Sequence, residues 1–219
     1  MVMSPRNDSS TVQRHMQDVN EKSLAAFIQD YLPSSSGWTS WSNPRDKVGY
    51  DISLETANSL SSTDFEACFN LIAVTSSADY KNSTVGWKVR AKKNEMKSTD
   101  LKYVLVKKEG ASQTSAFLSL MPTMEDDFAV LYCYEIHLAP EVQGTGLGSI
   151  LMNLFEEVAE KVPLVEKVML SCFRRNERAV RFYRKRGYEL DRFSPPPKIL
   201  RTGVKIESDY IIMSKAIHR

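Results

Sequence analysis

The sequence predicts an α/β domain, a mixed and mostly antiparallel central sheet flanked by helices, with an N-terminal helical arm. Three observations predict it. The element types run helices, then antiparallel strands, then strand–helix–strand–helix–strand–strand. The stretch Val130-Leu-Tyr-Cys-Tyr-Glu-Ile-His-Leu138 reads as a long central strand with a carboxylate inside it. Directly after it, Gln143-Gly-Thr-Gly-Leu-Gly148 reads as a tight turn that opens a helix, with Leu147, Ile150, Leu151, Leu154, Phe155 and Val158 along one face. Strand, bare glycine turn and helix start make a cradle for phosphate.

The elements follow in order. Residues 1–11 are polar and read as a disordered N-terminus. Val12 to Leu32 reads as a helix, with Leu24, Phe27, Ile28, Tyr31 and Leu32 along one side and Pro33-Ser-Ser-Ser-Gly37 ending it. A strand is expected near Tyr50 to Leu54. Ser62 starts a second helical stretch over Phe65 to Ser76. Asp79 to Lys97 continues the helical part, interrupted by Gly86-Trp87. Tyr103–Val106 and Ser115–Leu120 read as strands joined around Glu109-Gly110, and Met124 to Phe128 as an acidic turn. Lys167 to Phe173 is a strand. Asn176 caps a short helix through Lys185, and Gly187 stops it. Tyr188–Arg192 and Asp209–Ser214 read as a final hairpin around Pro195-Pro-Pro197. The division is an arm over residues 12–60 packed on a domain over 61–219.

Composition sets the outer limits. A chain of 219 residues with 42% hydrophobic residues can bury a sizeable core in one domain with an arm. No run approaches the ~18 apolar residues of a membrane span, and the polar start lacks a signal-peptide apolar region. Three widely spaced cysteines suit a reducing compartment better than a disulfide framework. The three histidines (His15, His137, His218) stand in no metal-ligating pattern, so no metal is expected. A net charge of +2 makes no case for a nucleic-acid binder.

The glycine turn satisfies the signature Gln/Arg-x-x-Gly-x-Gly/Ala of the GNAT superfamily of N-acetyltransferases. Downstream, Asn176-x-x-Ala179-x-x-Phe182-Tyr183 with Gly187-Tyr188 is similar to that superfamily's second hallmark. Within it, Leu131-Tyr-Cys-Tyr-Glu135 and Lys167-Val-Met-Leu170, together with Tyr80, Gly86-Trp87-Lys88 and Glu95-Met96 as a substrate-side helix, resemble the N-α-acetyltransferase D (NatD) family of histone N-terminal acetyltransferases. The resemblance covers roughly residues 20–215 and implies the GNAT fold and acetyl-CoA as co-substrate. It further implies histone tails beginning Ser-Gly-Arg-Gly, those of histone four and histone two-A, as partners. Nucleus and cytoplasm are the expected compartments, and a monomer the expected state. Three departures stand out. Val85 occupies a place where the family has tryptophan. Gly144-Thr145 replaces a more basic pair in the turn. The loop over 195–203 has its own sequence.

The resemblance and the residues together nominate a site. Main-chain groups of Gln143, Gly144, Thr145, Gly146, Leu147, Gly148 and Ser149 would meet the pyrophosphate, with Asn176 beside them. Ile136, His137 and Leu138 would hydrogen-bond the pantetheine as a partner strand does. His137 can also be read as a base or ligand, or simply as a side chain beside the cofactor. Glu135 is the expected general base, since an unpaired carboxylate in a central strand is costly; the alternative is a structural pair with a nearby Arg or Lys. Strict alternation places Glu135 on the face of Leu131, Cys133 and His137; a bulge near Glu135, which the superfamily resemblance implies is common there, would change that. Tyr134 and Tyr183 complete the catalytic set, Tyr183 donating to the leaving thiolate or holding the sulfur. Tyr80, Tyr134, Ser171 and Tyr210 would line the peptide site, and Glu125 in Glu125-Asp126-Asp127 would meet the substrate arginine. Core packing for the tyrosines, and a solvated turn for the acids, are the plainer alternatives. An α-amine, with pKa ~8 against ~10.4 for lysine, is the easier nucleophile to free. A lysine or small-amine acetyltransferase, or a non-catalytic module binding CoA or histone tails, remains the rival reading.

Overall fold

The computed structural model describes residues 9–217. The segment expected to be disordered lies outside that range over residues 1–8; residues 9–11 form the first turn of helix α1 (Ser9–Glu21). The expected single helix over Val12–Leu32 is two, α1 and α2 (Leu24–Tyr31). Ser23 separates them, because its hydroxyl accepts the Ala26 amide hydrogen and caps a new helix instead of continuing the old one. Met16, Val19, Phe27 and Tyr31 are buried, so both helices are held by packing. Each fully buried apolar side chain contributes roughly 1.5–3 kcal/mol.

The strands β1 (Ser40–Ser42) and β2 (Gly49–Thr56) follow, then α3 (Ser62–Lys81) and α4 (Val89–Glu95). Ser61 caps α3 by accepting from the Asp64 amide at 3.0 Å while donating to the Asp64 carboxylate at 2.7 Å. Next come β3 (Lys102–Lys108), β4 (Thr114–Glu125), β5 (Phe128–Leu138), α5 (Leu147–Lys161), β6 (Lys167–Phe173) and α6 (Glu177–Lys185). The acidic turn is shorter than expected: β4 runs through Glu125, and only Asp126-Asp127 turn the chain, Asp126 with φ of 49°. The expected final hairpin is reduced to β7 (Glu189–Leu190) against β10 (Tyr210–Ala216). A separate small hairpin of β8 (Lys198–Ile199) and β9 (Lys205–Ile206) lies between them in sequence.

One eight-stranded sheet runs β1-β2-β3-β4-β5-β6-β10-β7. Every pairing is antiparallel except β5 with β6, where the α5 crossover requires parallel strands. The predicted mixed, mostly antiparallel sheet is thus present. The strand expected near Tyr50–Leu54 is β2, fully integrated by pairing with β3 from Tyr50–Lys108 to Thr56–Lys102. The segment read as an arm therefore contributes two strands to the main sheet.

Two irregularities position the site. The β5–β6 ladder runs only from Val130–Lys167 to Cys133–Leu170, while β5 stays paired with β4 as far as Leu138. Beyond Cys133 the two strands part and leave one edge of β5 facing a cleft. In the β4–β5 ladder, Leu120 faces Cys133 but its neighbour Ser119 faces Glu135, so Tyr134 is an extra residue in a bulge. Paired residues share a face and successive residues alternate. The bulge that the sequence allowed for near Glu135 is therefore present and overrides strict alternation: Glu135 keeps His137 as a face-mate but leaves the face of Leu131 and Cys133.

Candidate active site

The cleft opened by the parting strands measures about 1150 Å³. Most nominated residues line it: Tyr80, Glu125, Tyr134, Glu135, Ile136, His137, Leu138, Gln143, Gly144, Gly146, Gly148, Ser149, Ser171, Asn176, Tyr183 and Tyr210. Thr145 and Leu147 do not. Thr145 turns its hydroxyl inward to the Val142 carbonyl at 2.6 Å, and Leu147 is fully buried in the core. These two can offer only main-chain groups.

The glycine turn has the conformation its sequence demands. Gly144 and Gly146 have φ of 70° and 94°, left-handed values that suit a residue without Cβ. A Cβ on Gly146 would meet nothing within 4 Å, so it is backbone conformation that requires glycine there. Gly146 caps α5 without a side-chain hydrogen bond. The Ser149 amide hydrogen turns back to the Gly146 carbonyl at 2.9 Å and that of Gln143 to the Pro140 carbonyl at 3.2 Å, so of the first amide hydrogens of the helix those of Leu147 and Gly148, rather than all the nominated ones, are left to the cleft. The turn is tied to β5 by Gln143, whose Nε2 donates to the Leu138 carbonyl at 2.9 Å. That bond takes up an acceptor the sequence reading assigned to pantetheine. Asn176 uses its carboxamide oxygen to cap α6 through the Ala179 amide at 3.1 Å, so only its amide nitrogen is left to donate. An open helix start, a close-approach turn and an uncovered strand edge fit a phosphorylated, pantetheine-bearing thioester such as acetyl-CoA.

Glu135 is held from two sides. Its Oε1 lies 2.9 Å from Lys92 Nζ, and its Oε2 lies 2.5 Å from His137 Nε2. Lys92 comes from α4, also meets Glu95 at 2.9 Å, and sits 5.0 Å from the Tyr80 ring centre. Burial pushes the Glu135 carboxyl up, but His137 and Lys92 outweigh it and hold the group below its ordinary value. Lys92 is held above its ordinary value: burial works against its charge, and Glu135 leads the groups that overcome it. Glu135 is thus ion-paired with Lys92, as the structural-pair alternative expected, and also lines the cleft.

Thr75 joins the site from α3: its Oγ1 donates to the Leu71 carbonyl at 2.7 Å and lies 2.5 Å from His137 Nδ1. The line Lys92–Glu135–His137–Thr75–Leu71 is one continuous network. The His137 ring is buried and packed against Phe117 at 5.6 Å between centres.

Tyrosines wall the rest. Tyr183 is buried, and burial raises its hydroxyl well above the ordinary tyrosine value, so it is a proton donor at neutral pH. Tyr134 is raised by the same cause and stands 5.1 Å from the Tyr132 ring. Tyr132 bonds Ser171 at 2.7 Å, bridging β5 and β6 where the strands separate. Tyr80 packs edge-on to Phe173 at 4.8 Å. Of the three acids, only Glu125 lines the cleft; burial and then Asp126 raise its carboxyl.

Sequence reasoning missed Lys92, Thr75, Tyr132 and Arg178, all of which line the cleft, as does Glu95 from the segment that carries the family resemblance. Lys92, within the basic run Arg90-Ala-Lys-Lys93, is only 7% exposed. The available signal was Lys92 with Glu95 at i and i+3 on α4. What faces that side of α4 is set by tertiary packing.

A cleft with a thioester cradle at one end and a buried acid network at the other defines an acyltransferase. The family model for the acetyltransferase (GNAT) family matches residues 68–188. The chain therefore belongs to that family and is an acyltransferase of the GNAT type, with acetyl-CoA as acyl donor. Solved structures share the fold. A Pseudomonas aeruginosa acyl-CoA N-acyltransferase is 16% identical with TM-score 0.55, over 76% of this chain and 99% of that one. Arabidopsis thaliana NAA60 in complex with a bisubstrate analogue is 11% identical with TM-score 0.54, over 76% of this chain and 98% of that one. The same enzyme in complex with acetyl-CoA gives a TM-score of 0.53 at 12% identity, over 76% and 98%.

Proposed function

We propose that the protein is an N-α-acetyltransferase that acetylates the free N-terminal amine of tails beginning Ser-Gly-Arg-Gly, the histone four and histone two-A type. The observation that carries this reading is the pair of carboxylates in one tyrosine-walled cleft, the ionised Glu135 within and Glu125 at its acidic edge. A short peptide with a cationic start and an arginine two residues on complements that pair. Arginine beside Glu125 would relieve the burial and the Asp126 repulsion that now raise its carboxyl. Tyr80, Tyr134, Ser171 and Tyr210 leave a pocket suited to small first residues.

Acetyl-CoA supplies the thioester. Glu135 draws the α-ammonium in and serves as general base. The incoming ammonium competes with Lys92 for Oε1. The α-amine sheds one proton to solvent before it attacks, and with a pKa of ~8 about a tenth of it is neutral at pH 7. Once its lone pair is committed to the carbonyl, the remaining N–H becomes far more acidic and Glu135 takes that second proton. A carboxylate kept ionised by Lys92 and His137 is matched to that later moment. An amide hydrogen on the uncovered edge of β5, within Ile136–Leu138, stabilises the developing oxyanion, and Tyr183 donates to the thiolate.

The test uses acetyl-CoA with a Ser-Gly-Arg-Gly-Lys-Gly peptide, free and N-terminally blocked, the acetyl group being located by fragmentation. Acetylation of the free α-amine alone is the expected result. Lysine labelling in the blocked peptide would replace this reading with a lysine acetyltransferase, and binding of acetyl-CoA without transfer would point to a non-catalytic module.

A further inference from the structure

The phosphate turn itself carries no cation, since Gly144-Thr145 occupies its middle. The fold brings two guanidinium groups to it from elsewhere. Arg45, in the turn between β1 and β2, donates from Nη2 to the Gly144 carbonyl at 2.9 Å. Arg178, on the first turn of α6, donates from Nη1 to Gln143 Oε1 at 3.1 Å. A Cβ built on Gly144 would lie 3.1 Å from Arg45 Nη2 and 3.9 Å from Arg178 Nη2, so the two groups converge on one residue.

We propose that Arg45 and Arg178 form a two-arginine clamp on the phosphates of acetyl-CoA, with Arg45 supplied by the N-terminal segment. The clamp rests on acetyl-CoA as acyl donor and is independent of the acceptor. Among the described residues neither guanidinium has a carboxylate in salt-bridge range. Two like charges that close, at the positive end of α5, repel one another, and an anion between them reverses the sign. Each has donors to spare, because a guanidinium carries five and the bonds above use one apiece.

Arg45 is presented by a fixed turn. Buried Asn43 accepts the Arg45 amide hydrogen on Oδ1 at 3.1 Å, and its carbonyl accepts from the Lys47 amide at 2.8 Å. Asp46 Oδ1 accepts from the Val48 amide at 3.0 Å, and Lys47 takes φ of 63°. The turn hangs on β2, which is paired along its length with β3. A side chain held this way loses little freedom on meeting its ligand.

The rival role for Arg45 is a prop for the Gly144 carbonyl. Arg45→Gln separates the two, because glutamine can keep an amide donor for that carbonyl while losing the charge. Full-length protein without peptide would be titrated calorimetrically with acetyl-CoA, with its 3′-dephospho analogue and with acetyl-pantetheine. Arg45→Gln should weaken acetyl-CoA roughly tenfold, the size of one charge-assisted hydrogen bond, and Arg45→Gln/Arg178→Gln should weaken it further. Acetyl-pantetheine, which has no phosphate, should bind the variants as it binds the wild type. A loss confined to acetyl-CoA assigns Arg45 to the 3′-phosphate; a loss shared with the dephospho analogue assigns it to the pyrophosphate. Wild-type affinity for acetyl-CoA in both variants, or an equal loss with acetyl-pantetheine, would overturn the clamp. Since no acceptor is present, neither result bears on the N-terminal specificity.

Discussion

Lys92 and Lys102 are both buried, at 7% and 2% exposure, yet their surroundings push them in opposite directions. Lys92 enters the cleft from α4 and meets Glu135 and Glu95 at 2.9 Å each. Its charge is favoured there, above the ordinary lysine value. Lys102 starts β3 beneath α2, with its ammonium 4.6 Å from the Phe27 ring centre and a long 3.5 Å bond to the Asp100 carbonyl. Burial pulls it from an ordinary 10.5 down to about 8. One lysine is compensated by carboxylates and lines the cleft; the other costs stability and lies away from it. Burial of a charge marks a site only when its partner is also buried and faces a cleft.

The pH consequences separate the two regions. Glu135 is depressed, so its contribution to stability is present above an ordinary 4.5 and is lost as pH falls through its lower folded value. Lys92 is raised, so its contribution is present below 10.5 and is lost as pH rises through its higher folded value. Lys102 is depressed, so its penalty is complete below about 8 and fades as pH rises toward 10.5.

The sharpest way to break the contrast is Glu135→Gln. Turnover on a free-N-terminus peptide should fall about a thousandfold, the scale of a lost general base. Affinity for acetyl-CoA should hold, as equilibrium titration would show; unchanged turnover would remove Glu135 from the chemistry. Next in size is Lys92→Met. It leaves Glu135 with His137 as its remaining partner, beside Glu95, and should cost on the order of 3 kcal/mol in denaturant unfolding. The Glu135 carboxyl should rise, so the acid limb of the pH–rate profile should move to higher pH. An unmoved limb would assign it to another group. Smallest is Lys102→Met, which should stabilise the fold by up to about 3 kcal/mol at pH 7. That gain should shrink between pH 8 and 10.5, with turnover unchanged. A gain constant with pH would mean that Lys102 is not the titrating group.

Much of the site was legible because it is local in sequence. Glycines at 144, 146 and 148, an apolar helix face and an Asn cap are short-range demands of backbone geometry, readable without a fold. The face of Glu135 was not. A bulge at Tyr134 arises from how β5 pairs with β4, and one extra residue reverses every side chain beyond it. Lys92 and Thr75 reach Glu135 and His137 from α4 and α3, across sequence separations that no local pattern encodes. The break at Ser23 was missed because an apolar stripe continues through it, while the capping hydroxyl won locally.

By itself, the sequence determined the fold class, the phosphate turn, the helix it opens and the presence of an acid in the central strand. Each depends on residue type and spacing over a few positions. Tertiary structure alone decided where the strands part, which way the acid points, which lysine neutralises it, and that Arg45 stands over a turn a hundred positions downstream. Those are long-range pairings, fixed only when the whole sheet has closed its ladders and its helices have been packed against it.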